Sequence, residues 1–310
     1  MSFTGTVKSE ISKKKYSKAE YIAELSAIFR NLLDISEYQE KIRITTENPV
    51  LARRIFELMK ELYDIHARVT VRRGYNFSKN YIYILEIRRR KDFILEDLGI
   101  VKNQKLQNLP EAYLLDDENS VKAYLRGVFL AVGSINDPKT SRYHLEFVVN
   151  DAIYANFLKE KLNLYDLNSK VLKRENKYMV YIKEAEKISD FLRLIGASNA
   201  VLYYEEIRIF RNQKNNTNRL NNCEQANVDK MIETANHQIH DIQILEEAGL
   251  LDVMDEKLLD VCTYRKKYPE VSLQELSEII TLETGKKITK SGVHHRLKKI
   301  SEMASNLSQK

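Results

Sequence analysis

VKAYLRGVFLAVGSINDP, residues 121–138, sets the small residues Gly127, Ala131 and Gly133 among the bulky apolar Leu125, Val128, Phe129, Leu130 and Val132. Glycine inside a helix costs about 1 kcal/mol against alanine and is kept where another backbone must come close. The stretch is therefore expected to be a central packing helix that touches a partner at short range. Asn136-Asp137-Pro138 is expected to stop it, since proline cannot continue the hydrogen-bond ladder.

A partner lies about 103 residues earlier, a spacing that points to duplication of a whole subdomain and not to a short solenoid repeat. Tyr21-Ile22-Ala23-Glu24-Leu25-Ser26-Ala27-Ile28-Phe29-Arg30 sets Tyr21 against Tyr124 and Ile22 against Leu125, with Ala23 and Ala27 as its small positions. Downstream, Leu62-Tyr63-Asp64-Ile65 recurs as Leu164-Tyr165-Asp166-Leu167, Asp92-Phe93 as Asp190-Phe191, and Leu98-Gly99-Ile100 as Ile195-Gly196-Ala197. The offset shortens over the last pairs, which a longer hairpin loop around Gly74 to Asn80 in the first copy would explain.

At 310 residues the chain can bury about two cores. Its 50 Lys+Arg against 44 Asp+Glu leave a net charge of +6, compatible with a polyanionic partner. The basic N-terminus has no apolar run and is not a signal peptide. No stretch reaches the ~18 apolar residues of a membrane span, so no membrane partner is expected. Cys223 and Cys262, far apart in sequence, offer neither a disulfide framework nor a metal site. A cytoplasmic protein without cofactor or metal is the expectation.

The chain is expected to divide into a polar, basic arm (1–16), two repeats (17–110 and 111–211), a helical linker (212–253) and a small C-terminal domain (254–310). Each repeat reads helix, strand, helix, hairpin, helix. The Asn-rich run 212–227 suits a cap or hinge, because asparagine is a poor helix former. Arg43, Arg72 and Arg88 fall on expected strands and are candidates for contacts on the sheet surface.

In the last domain three helices are expected. Ser272 and Glu275 form a capping-box pair ahead of Leu273, Leu276, Ile279 and Ile280. The third helix, from about Thr289 to Ala304, turns Val293, Leu297 and Ile300 inward and Lys290, Ser291, His294, His295 and Lys298 outward. Between Lys286 and Lys299 there are six Lys/Arg and no acid. A helix-turn-helix sets the start of its last helix in the major groove while neighbouring cations grip phosphates. Lys286, Lys287, Lys290, Ser291, His294, His295, Arg296, Lys298 and Lys299 are the candidate DNA-binding residues, and double-stranded DNA the expected partner. Adjacent His294 and His295 point in different directions and are not a metal pair.

YLRGVFLAVGSI resembles the LAGLIDADG helix of homing endonucleases, which implies an α+β fold: a duplicated LAGLIDADG-like αβαββα pseudo-dimer, here followed by a small all-α helix-turn-helix domain. In that family an acid near the end of each central helix binds the catalytic metal. The matching positions here are Leu130 and Val132, and Phe29 in the first copy, so no catalytic residue is expected. Asp34 and Asp137 are the only candidates for displaced ligands, which leaves a metal-dependent endonuclease as one alternative and a protein scaffold as another. YLRGVFLAVGSINDP, RNQKNNTNRLNNCEQAN, IQILEEAGL, SLQELSEI and ITKSGVHHRLKKI, in that order, look like the WhiA family of bacterial regulators. That resemblance implies a non-enzymatic transcription regulator acting in cell division, chromosome segregation or sporulation, with RNA polymerase or a sigma factor as a candidate partner. His294 departs from the asparagine that relatives tend to carry.

Overall fold

Two nearly parallel stretches of sequence become two packed helices, α2 (Lys18–Leu32) and α5 (Glu118–Val132). Ser17 and Glu20 start α2 with a reciprocal capping box, and the Asp117 side chain caps α5. Their facing residues, among them Leu25, Ile28, Phe29, Leu125, Val128 and Phe129, are buried. The close approach expected at Gly127 is real: a Cβ added there would stand 2.3 Å from the Glu24 carbonyl oxygen and 2.9 Å from Ala27 Cβ.

The computed structural model describes residues 2–34, 36, 40–73, 81–140 and 142–308; the loop at Gly74 to Asn80 lies outside them. The chain divides into two compact units, Met1–Arg211 and Asn212–Lys310.

In the first unit, α2 is followed by β1 (Ile42–Thr46), α3 (Pro49–Tyr63), β2 (Arg68–Arg73), β3 (Tyr81–Ile87) and α4 (Lys91–Asp97). A short hairpin, β4 (Val101–Lys102) with β5 (Lys105–Leu106), and a 3-10 turn at Ala112–Leu115 lead to α5. Then come β6 (Gly133–Ile135), β7 (Leu145–Val149), α6 (Ala152–Asn163), β8 (Lys170–Arg174), β9 (Lys177–Ile182) and α7 (Ala185–Leu194). The antiparallel sheets run β1-β3-β2 and β6-β7-β9-β8, so β1, β3 and β2 of the αβαββα unit match β7, β9 and β8, and the second copy adds β6. In the first copy an isolated bridge, Leu33 to Ile44, stands where β6 pairs with β7 in the second.

The turn chemistry repeats as well. Asp64 (φ 55°) and Asp166 (φ 54°) leave their helices in the left-handed region. Gly99 (φ +62°) and Gly196 (φ +80°) follow α4 and α7 and donate to the Glu96 and Arg193 carbonyls. Left-handed backbone after a helix favours glycine, which explains both Leu-Gly and Ile-Gly pairs.

α5 ends at Val132, not at Asn136-Asp137-Pro138 as its sequence suggested. Gly133 caps it in extended conformation, its N–H donating to the Phe129 carbonyl. A Cβ at Gly133 would fall 2.3 Å from the Phe129 ring, so the chain turns there at a residue without a side chain and continues as β6.

The expected N-terminal arm is instead a helix, α1 (Phe3–Ile11), capped by Ser2. Phe3, Val7 and Ile11 recur every fourth residue and are all buried, Lys8 is buried beside them, and Lys13, Lys14 and Lys15 lie beyond the helix. Thr4 Oγ1 donates to the Ile135 carbonyl and accepts from the Ile135 N–H, fastening α1 to β6. Phe3 packs on Tyr203 and Tyr204 at ring separations of 5.6 and 6.3 Å.

The Asn-rich run is helical throughout. α8 extends from Ser198 to Glu247 through all of it. That span contains no glycine or proline, and asparagine costs only a few tenths of a kcal/mol per position. Glu10 caps its start, accepting from the N–H groups of Asn199 (2.8 Å) and Ala200 (3.0 Å), and Gly249 (φ +68°) follows its end.

In the second unit α9 (Glu256–Lys267), α10 (Leu273–Thr284) and α11 (Lys290–Ser308) pack with the end of α8. Ile242 and Leu245 join Val261, Leu276, Ile280, Val293, Leu297 and Ile300 in one core. Buried Arg265 spans the α9–α10 turn, donating to the Val271 carbonyl at 2.8 Å.

Candidate nucleic-acid interface

The geometry of α10 and α11 follows from their ends. Ser272 and Glu275 make the expected reciprocal capping box. Gly285 (φ +68°) closes α10 and accepts the left-handed turn that α11 requires. Thr281 Oγ1 then accepts from the Ile288 N–H at 3.1 Å, and Thr289 Oγ1 from the Gly292 N–H at 3.2 Å. These bonds fix the connection 285–289 although it is longer than the usual three or four residues.

With Val293, Leu297, Ile300 and Ala304 buried, the opposite side of α11 faces solvent. Lys290, His294 and Lys298 lie at i, i+4 and i+8 on one exposed stripe, flanked by exposed Ser291, His295 and Lys299. Lys287, also exposed, stands before the first turn. Two candidates are placed differently. Lys286 donates to Glu256 at 2.8 Å and lies 3.7 Å from Asp260, and its bond to Glu256 holds its pKa above the ordinary lysine value. Arg296 is half-buried and donates to the Lys257 carbonyl at 3.3 Å, so it ties α11 to α9. The residues brought together on the open face are thus Lys287, Lys290, Ser291, His294, His295, Lys298 and Lys299. A stripe of hydrated cations with two imidazoles can neutralise phosphates and donate to base edges.

In the first unit the positions that resemblance aligned with metal-binding acids do not fit a divalent ion. Phe29 and Leu130 are wholly buried and Val132 packs against the core, and magnesium demands oxygen ligands. Asp34 is engaged locally, accepting from the Ser36 hydroxyl at 2.6 Å, a bond that lowers its pKa. Asp137 caps the next turn by accepting from the Lys139 N–H at 2.9 Å. Among the described residues no group of three or more His, Cys, Asp or Glu could hold a metal.

A buried charge cluster sits between the central helices, and no sequence pattern announced it. Glu24 is wholly buried and accepts from Arg54 Nε and Arg126 Nε, each at 2.7 Å. Arg54 also donates to the carbonyls of Ser12 (3.2 Å) and Lys14 (3.3 Å). The Arg126 guanidinium lies 3.5 Å from the Tyr16 ring centroid. The signal available was Arg126 itself, a cation inside an apolar helix. The cluster's exclusion from solvent makes it a joint and not a reaction centre.

On the sheets, Arg43 and Arg72 lie on the face away from the core, opposite Glu86 and Ile82. Arg88 lies one residue past the end of β3 and is not on a strand. The corresponding face of the second sheet carries an apolar row, Val148, Met179 and Leu172, paired across three strands.

Three family models match this chain: the WhiA N-terminal LAGLIDADG-like domain at residues 18–101, the WhiA LAGLIDADG-like domain at 121–214 and the WhiA C-terminal HTH domain at 217–304. "Probable cell division protein WhiA" of Lactiplantibacillus plantarum is 41% identical over 311 residues, covering 100% of this chain and 99% of that one. Its namesake in Enterococcus faecalis is 40% identical over 312 residues with the same coverage. The crystal structure of full-length WhiA from Thermatoga maritima shares the fold, at a TM-score of 0.60, 24% identity and 99% coverage of both chains. By three consecutive domain matches and full-length relatives, the chain belongs to the WhiA family.

Proposed function

We propose that this protein is a sequence-selective, DNA-binding transcription regulator and not an enzyme. The observation that carries the reading is the exposed stripe Lys290, His294 and Lys298 on α11, within an acid-free run from Lys286 to Lys299. In this reading α11 enters the major groove, Ser291, His294 and His295 meet base edges, and the lysines supply the salt-dependent part of affinity. The relatives' name supports cell division as the regulated process, and the family resemblance adds chromosome segregation or sporulation as candidates. RNA polymerase or a sigma factor is the candidate protein partner, and the nucleoid the site of action. The LAGLIDADG-like unit, its metal positions filled by Phe29, Leu130 and Val132, serves as a DNA- or partner-binding platform.

Genome-wide mapping of bound sites followed by mobility-shift titration on a recovered site tests this. Lys290→Glu with Lys298→Glu should abolish specific binding while leaving the fold intact. Single Lys→Ala changes should each lower the salt slope by about one unit where a phosphate contact is lost. An unchanged slope would favour a protein scaffold. Duplex cleavage in Mg²⁺ or Mn²⁺ that disappears in Asp137→Asn would establish an endonuclease instead.

A further inference from the structure

A cleft of about 730 Å³ opens between the end of α1, the segment after it and the first half of α3. Lys13, Lys15 and Arg53 line it, all exposed. None of the three has a carboxylate within salt-bridge distance among the described residues. Cations gathered around one cleft repel one another unless an anion is shared among them. Glu57 and Glu61, one and two turns further along α3 from Arg53, line the same cleft. A phosphate backbone passing through would meet those carboxylates, which disfavours DNA as the occupant. A small molecule with an anionic group and hydroxyl or amino donors meets complementary groups of both kinds in this cleft. The volume falls within the roughly 300–1,000 Å³ usual for small-molecule sites.

The backbone of the cleft is fixed before any ligand arrives. Arg54, beneath it and buried, holds the carbonyls of Ser12 and Lys14 while its other nitrogens bind Glu24. The Lys14 ammonium donates to the Gly196 carbonyl and contacts Ser198 Oγ at the start of α8. Lys13 and Lys15 therefore flank a residue that is itself pinned, and their main chain need not be ordered on binding.

We propose that this cleft binds a phosphorylated small molecule of the nucleotide or sugar-phosphate class. Its phosphate would be taken by Lys13, Lys15 and Arg53, and its hydroxyl or amino groups by Glu57 and Glu61.

Calorimetric titration of the full chain with ADP, glucose 6-phosphate and inorganic pyrophosphate tests the assignment. Saturable binding of ADP or glucose 6-phosphate at least tenfold tighter than pyrophosphate is expected. The variant Lys13→Ala/Lys15→Ala/Arg53→Ala should weaken it tenfold or more while leaving the DNA affinity intact and not lowering the melting temperature without ligand. Lys290→Ala/Lys298→Ala should leave ligand binding intact, so loss of the DNA reading and loss of this one are separable. Glu57→Ala/Glu61→Ala should weaken the organic ligands and not pyrophosphate. Binding by none of the three probes, affinities unchanged in the triple variant, or pyrophosphate binding as tightly as the organic ligands would overturn the proposal.

Discussion

Glu24 and Gly127 hold corresponding positions in the two copies, and they meet: a side chain at Gly127 would begin 2.3 Å from the Glu24 carbonyl oxygen. Residues beside a twofold axis touch their own counterparts, so this pair marks the pseudo-axis of the duplicated unit. The contact is also unequal, with a carboxylate on one helix and only hydrogen on the other.

Gly127→Ala should therefore be costly although alanine is the better helix former. The backbone of Glu24 is the obstacle, and overpacking of this kind costs about 1–3 kcal/mol or more. A fall in the melting temperature of the first unit, read by calorimetry, is expected; an unchanged or raised value would contradict the packing described.

Glu24→Gln should be more damaging still. It keeps the volume but leaves the buried guanidinium groups of Arg54 and Arg126 without their carboxylate, at a cost of about 3–5 kcal/mol. Replacing the three together, as Glu24→Leu/Arg54→Met/Arg126→Met, should recover most of the loss, because no unpaired charge is then left buried. Denaturant titration of the single and triple variants decides this.

Lys8 lies buried over the Phe129 ring at 5.6 Å, and burial pushes its pKa down to about 8. Unfolding restores a value near 10.5, so between these limits the unfolded chain binds more protons and stability rises with pH. Below about pH 8 the folded protein bears the whole penalty of a buried ammonium. Lys8→Met should stabilise it at pH 7 by on the order of 2 kcal/mol, allowing for the lost ring contact. The gain should shrink between pH 8 and 10.5, and a gain independent of pH would refute the assignment.

The two thiols should separate cleanly. Cys223 is exposed, whereas Cys262 is buried and burial pushes its thiol up to about 11. A thiolate-trapping reagent at pH 8 should label Cys223 alone in the native protein and both after denaturation; native labelling of Cys262 would contradict its burial.

On α11, Lys290→Ala should weaken DNA binding more than Lys286→Ala does. Lys290 is exposed on the open stripe, while Lys286 is already committed to Glu256 and Asp260. Equal losses in mobility-shift assays would mean that Lys286 exchanges its acids for phosphate.

The duplication was legible because turns and helix contacts demand particular residues: Gly99 and Gly196 for left-handed caps, Gly127 for close approach, Ser272 with Glu275 for a helix start. The basic face of α11 was legible from helical period alone. Three features were not. α1 hides three apolar residues among lysines and hydroxyls, and composition outweighed its four-residue spacing. α8 continues through asparagines because nothing there breaks a helix, although each residue favours one weakly. The Glu24 cluster depends on Arg54 and Arg126, 30 and 102 residues away, and a long-range pairing leaves no local pattern.

The pairing of Glu24 with Arg126 bears on ancestry. The residue matching Arg126 in the first copy is Ala23, so two first halves brought together would offer methyl groups where a guanidinium is needed. They would also set a carboxylate-bearing residue where Gly127 now makes room. The halves now fit each other and not themselves at this joint: two first halves would lack the Arg126 guanidinium, and two second halves the Glu24 carboxylate.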